Sequence, residues 1–172
     1  MRLNKYLALF SIAVLVSGAC RKIEHLSPVP RIEFRSFTVF DTLDILGNNA
    51  KGGRLKIYFE DGDGNLGLNT PGQNQTDTTN IFFTLYRKTG GVMVPAAAND
   101  PLKPYAYRIP YMERLGQNKI LKGTISVTFL YLFYTPKDTI SYDFYLRDRD
   151  LNESNTASTG EIILSVNNVY IK

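Results

Sequence analysis

Two short runs of this chain carry the residue types that a hard cation prefers. Asp61, Asp63 and Asn65 read D-x-D-x-N, and Asp148, Asp150 and Asn152 repeat the pattern. With 10 Asp and 13 Asn among 172 residues, random placement predicts far fewer than two such triplets. Calcium suits the set, because it takes several oxygens at flexible geometry and accepts carboxylates, amides, backbone carbonyls and water. Gly62 and Gly64 would let the backbone turn its carbonyls toward an ion. An EF-hand is excluded. Counting from Asp61, the sixth place is Leu66 rather than Gly and the twelfth is Gly72 rather than Glu. A plainer reading stands beside the metal: Asp-Gly and Asn-rich stretches are common turn chemistry, and Arg147 and Arg149 could satisfy the acids.

Other chemistry is narrowed by scarcity. The chain has one Cys, Cys20, and one His, His25. An internal disulfide, a Cys-rich zinc site and any site needing two imidazoles are therefore excluded.

The elements that would position the two acidic runs are strands. Leu55, Ile57 and Phe59 alternate with polar neighbours, the period of a half-buried strand. The same period recurs in Ile81, Phe83 and Leu85, and in Ile125, Val127, Phe129, Tyr131 and Phe133. It recurs again in Ile140, Tyr142, Phe144 and Leu146, and in Ile162, Leu164 and Val166. In the first segment Ile32 and Phe34 share one phase and Phe37 and Val39 the other, which predicts a bulge near Ser36. We place strands A, B, C, E, F and G at 31–40, 54–60, 81–87, 120–134, 139–147 and 160–171. Between C and E, the stretch 89–118 holds Pro95, Pro101, Pro104 and Pro110, which predicts a long irregular crossover with at most a short edge strand.

This pattern predicts an all-β chain, an immunoglobulin/fibronectin type III-like antiparallel β-sandwich of about seven strands over residues 31–172. In such a sandwich the connections after B and after F share one pole, so the acidic runs should face each other there.

Upstream, Arg2 and Lys5 precede an apolar run from Tyr6 to Val16, followed by Ser17, Gly18, Ala19 and Cys20. The run is about half of what a membrane-spanning helix needs, so residues 1–19 read as a cleaved signal peptide. The small residues ending at the sole Cys resemble a bacterial lipobox, although Ser17 stands where Leu is usual. That resemblance implies lipidation of Cys20, which would make it the first mature residue. Residues 20–30, broken by Pro28 and Pro30, then form a tether in which His25 is a solvated bystander.

Removing Arg2 and Lys5 with the signal lowers the 20 basic groups to 18 against 16 acids. No basic cluster that would track phosphates remains, which argues against nucleic acid as a partner.

A family resemblance rests on three segments: FEDGDGNLGL at 59–68, KILKGTISV at 119–127 and DRDLNESN at 148–155. They resemble small lipoproteins of Bacteroidota that carry F-x-DGDGD, a G-x-I-x-V strand and DRAGN-x-SN in this order. The resemblance implies lipoprotein status and an immunoglobulin-like domain, and no particular activity. This chain departs from the pattern at Asn65, Asp150 and Leu151; the loss of Gly at 151 bears on the turn of the second loop. Such lipoproteins generally reach the outer membrane. The Arg21-Lys22-Ile23-Glu24 stretch matches an acidic surface-export signal poorly, which favours the periplasmic leaflet over surface display.

The expected function is non-enzymatic: an outer-membrane lipoprotein whose sandwich presents a binding or structural surface to a protein or glycan, with calcium as the candidate cofactor. Without a His in the folded domain, only carboxylates such as Glu60, Asp61, Asp148 and Asp150 could serve as acid and base, and a loop pole offers little cleft. The alternative is a carbohydrate-binding accessory lipoprotein of a polysaccharide-capture system. Its platform would be Tyr105, Tyr107 and Tyr111 in the crossover.

Overall fold

A computed structural model describes residues 26–70, 78–113 and 119–172. The signal peptide, Cys20 and His25 lie outside the described residues. The chain forms β1 (Arg31–Leu43), β2 (Asn49–Asp61), β3 (Ile81–Thr89), β4 (Val92–Pro95), β5 (Leu121–Tyr131), β6 (Thr139–Leu146), β7 (Ala157–Ser158), β8 (Ile162–Ile163) and β9 (Asn168–Ile171). One antiparallel sheet runs in the order β5-β2-β1-β9; the other runs β4-β3-β6-β7, with β8 also on β6. With A, B and E in one layer and C and F in the other, this is the expected immunoglobulin-like β-sandwich.

The phase change in β1 is resolved by a bulge. Phe34 pairs with Ile57 and Ser36 with Lys56, so Arg35 is the extra residue. The inserted position returns the buried face to Phe37 and Val39 after Ile32 and Phe34.

β1 runs on to Leu43 and β3 to Thr89, past the expected ends at 40 and 87, and three further strands differ in ways that packing explains. β2 begins at Asn49 rather than 54, because Gly52 and Gly53 continue the ladder while leaving room for the rings of Phe40, Phe37 and Tyr131. A Cβ at Gly53 would stand 2.8 Å from the Tyr131 ring. β5 stops at Tyr131, which leaves Phe133 73% exposed instead of inward. The single strand expected at 160–171 is broken into β8 and β9, with Val166 exposed in the turn between them. That turn carries the chain from the second sheet to the first, where β9 pairs with β1. The short edge strand of the crossover is β4.

The layers meet through a ring cluster. Phe129 of β5 stacks on Phe37 of β1 and on Tyr142 of β6 at 5.9 and 5.3 Å, and Phe83 of β3 meets it edge-on at 5.4 Å. Such aromatic pairs add to the apolar area they remove from water. Two connections leave this core at one pole, residues 62–80 after β2 and 147–156 after β6. The segment leading into β1 reaches the same pole, where Ser27 accepts the Gly62 N–H at 3.0 Å.

Candidate functional site

The first acidic loop is built inward from the end of β2. Asp61 closes the buried face of the strand and is fully buried, while its neighbour Glu60 points to the other face. There Glu60 accepts from the Tyr58 hydroxyl and lies near Arg31 and Lys122. The alternation of a strand thus separates the two carboxylates that an acid–base pair would have needed together. Asp61 Oδ2 accepts the Leu66 N–H at 2.9 Å, which folds residues 61–66 into a compact turn.

The Asn65 amide links the two loops. Its Nδ2 donates to Asp63 at 3.1 Å and to Asp150 at 2.8 Å, and the backbone carbonyl of Asn65 accepts the Arg149 N–H at 3.3 Å. The second contact layer comes from Arg149, whose guanidinium donates to the Gly67 carbonyl at 2.6 Å and covers the Tyr111 ring at 5.2 Å. Arg147 pairs with Glu153 at 2.6 Å and lies over Phe82.

Of the six residues expected to face one ion, the fold links Asp63, Asn65 and Asp150 through the Asn65 amide and sets Asp61 beside Asp63. Asp148 and Asn152 are turned to another task. Asp148 accepts from the backbone and side-chain nitrogens of Asn152, both at 2.8 Å, and so caps its own loop. Among the described residues, no three His, Cys, Asp or Glu side chains come together as a metal cluster.

Electrostatics at the pole are strained. Burial, then the neighbouring Asp63 carboxyl, push the Asp61 pKa up to about 6, against the pull of the Leu66 and Gly64 amides. Two oxygens there are buried with no hydrogen-bond donor, Asp61 Oδ1 and Asn65 Oδ1. An orphaned buried polar atom costs about 1–3 kcal/mol, so its persistence calls for a physical reason.

Asn80, which carries no motif, holds the first loop against the core. Fully buried, it donates to the Leu66 carbonyl at 2.7 Å and accepts the Ile109 N–H at 2.7 Å. Only its position just before a predicted strand could have marked it.

The crossover tyrosines do not share a face. Tyr105 is 87% exposed and Tyr111 46% exposed under Arg149. Tyr107 is packed on the core, edge-on to Phe83 and Phe129, because it bridges to Ile81 as a strand residue would. Beside it, an apolar groove of about 310 Å³ opens against β5, with Arg108 its one charged lining residue.

The other pole is apolar. The β1–β2 turn exposes Ile45 at 96% and Leu46 at 83%, with Leu43 exposed at the end of β1. Asp44 alone builds this turn: it accepts from Leu46 N, Asn48 N and Asn48 Nδ2 at 2.8, 2.8 and 3.0 Å. Compared with known protein families, characterised proteins and solved structures, the chain matches none, so the site is read from its own residues.

Proposed function

We propose that this chain is a non-enzymatic outer-membrane lipoprotein, anchored through lipid on Cys20, whose sandwich presents a binding surface at the pole farthest from its anchor. The observation that carries this reading is the polarity of the fold. The segment following the tether meets the acidic pole at Gly62, and the exposed Ile45-Leu46 tip stands at the other end of the 13-residue β1 and β2 strands. At roughly 3.3 Å per residue, that separation is about 40 Å. The Ile45 and Leu46 side chains are not what holds the turn, since the Asp44 carboxylate and backbone fix it through the Leu46, Gly47 and Asn48 backbone. A rigid turn that displays aliphatic side chains beside exposed Leu43 suits contact with a protein.

The glycan alternative has less support. Tyr107 is turned into the core, which leaves Tyr105 and Tyr111 without the third ring of a platform.

Two measurements test the reading. Mass spectrometry of the N-terminal peptide should find acylated Cys20, and Cys20→Ser should move the chain out of the membrane fraction; an unmodified Cys20 would overturn the anchor. A photo-cross-linking residue at position 46 should trap one discrete protein adduct in cells, absent when placed at Glu153 on the anchored pole. Equal trapping at both positions, or none, would overturn the distal surface.

A further inference from the structure

We propose that the outer edge of β5 and the apolar groove beside it take up an extended segment of a partner polypeptide. The segment adds a strand to the first sheet and sets an Asp or Glu side chain against Arg108. Neither lipid on Cys20 nor a partner at the hairpin tip is needed for it, so it goes beyond the proposed function.

A strand at a sheet edge offers unpaired N–H and C=O groups, and folded chains blunt such edges with short strands, Pro, bulges or covering segments. The other edges of this sandwich are blunted in those ways. β9 and β4 have four residues each, β4 ends at Pro95, and β7 has two. Where β1 runs beyond β9, the Asn155 side chain stands in for a strand: it accepts the Ile32 N–H at 2.9 Å and donates to the Ile32 carbonyl at 3.0 Å. The crossover covers β3, because Tyr107 exchanges backbone bonds with Ile81 and Ala96 donates to the Leu85 carbonyl.

β5 has none of these devices. Its 11 residues pair with β2 in one unbroken register from Leu121 to Tyr131 and include no Pro. Among the described residues, β2 is the one strand paired with it, and no other backbone group bonds to residues 123–130. Alternate residues of that stretch therefore turn their N–H and C=O away from the sheet.

The groove selects the occupant. Ile125 and Val127 of β5 line it together with Ile109 and Met112 of the crossover. A strand docked about 4.8 Å from β5 sends every second side chain into this apolar space and the others to solvent. Arg108 adds the charge. It donates to the Leu68 carbonyl at 2.8 Å, forms no ion pair among the described residues, and its Nε is buried without an acceptor. An uncompensated cation in an apolar lining favours a carboxylate on the incoming strand. A second copy paired through its own β5 fits less well. That strand carries no acid, and its Val127, Phe129 and Tyr131 are already committed to its own core.

The test uses the full chain in detergent and an end-capped synthetic peptide of about nine residues that alternates valine with threonine around one central glutamate. Hydrogen exchange read by NMR should show a fast and a slow set of amides alternating along residues 123–130. Saturating peptide should slow the fast set by about tenfold or more. By fluorescence anisotropy, a glutamine analogue of the peptide should bind about fivefold more weakly. Arg108→Gln should bind both peptides alike, and the peptide pair reads the charge on the wild-type chain whether or not that variant folds. Amides at 123–130 that are all slow in the free chain, or a fast set that peptide leaves unmoved, would overturn the site. Protection that rises with chain concentration, alongside a dimer in sedimentation, would give the edge to a second copy and overturn it likewise. Equal affinity for the two peptides, or a glutamate preference that survives Arg108→Gln, would overturn the pairing with Arg108.

Discussion

Gly62 donates its N–H to the Ser27 carbonyl at 3.0 Å, so the segment entering β1 lies directly on the first acidic loop. A Cβ at Gly62 would run into the backbone oxygens of Leu26 and Ser27. Gly62→Ala should therefore displace residues 26–27 and cost about 1–3 kcal/mol, the range for overpacking a closed contact. Urea unfolding reads the cost, and hydrogen exchange of the amide at position 62 reads the undocking. Unchanged exchange would show that the two backbones do not meet.

Tyr142 gives its hydroxyl proton to the Leu102 carbonyl at 3.1 Å, so its 3.0 Å bond to Tyr131 must use the proton of Tyr131. Burial raises the pKa of both phenols, and Tyr131 well above its ordinary value. Tyr142→Phe leaves a carbonyl and a hydroxyl without partners and should cost about 2–3 kcal/mol; Tyr131→Phe should cost about 1 kcal/mol. In urea titrations the double variant should lose less than the two singles together, as members of one network do. Strict additivity would mean that the hydroxyls act independently.

Arg87 clamps two carboxylates across the second sheet and the crossover, with Asp100 at 2.5 and 2.9 Å and Asp138 at 2.6 Å. Burial pulls the Asp100 pKa up, but the bonds from Arg87 and the Leu102 amide outweigh it and hold it below the ordinary value. A depressed carboxyl pKa contributes stability above the unfolded value near 4, and that contribution fades as pH falls through the folded value. Wild type and Asp100→Asn should accordingly differ most near neutrality and converge below about pH 4. Melting curves that stay parallel in acid would remove the linkage.

Leu151 holds a φ of 66° and is 61% exposed, a left-handed conformation that a branched side chain adopts at a cost. The second loop thus keeps the turn that a glycine would make easily. Leu151→Gly should raise stability by about 1 kcal/mol, measured by thermal unfolding, with no change at β6. A lower melting temperature would mean that Leu151 makes an apolar contact worth more than its strain.

How much of this was legible in the sequence depends on whether a signal is local. Period-two alternation marked each long strand, and the reversal between Phe34 and Phe37 marked the bulge, because burial on one face leaves that trace. Gly52 and Gly53 hid the start of β2, since their small size answers rings from other strands. The repeated acidic triplet was visible. That Asp150 reaches Asn65 while Asp148 caps its own loop was not, since the loop conformation decides it. Tyr107 looked exposed among prolines, but its bridge to Ile81 turns the ring inward. Asn80 gave no warning because its partners are backbone groups of Leu66 and Ile109.

The pairing of β1 with β9 has a kinetic consequence. Partners such as Phe37 and Tyr170, like the Ile32–Asn155 hydrogen bond that spans 123 positions, join the two ends of the described chain. Loop-closure entropy must be met before contacts so distant in sequence are rewarded, which makes high-contact-order sandwiches slow to fold. The first sheet cannot be completed until residues 168–171 have been made. Until then the β9 side of β1 has no partner strand, so the fold is incomplete for as long as the chain is being made, a state that agrees with the export the proposed lipoprotein would need.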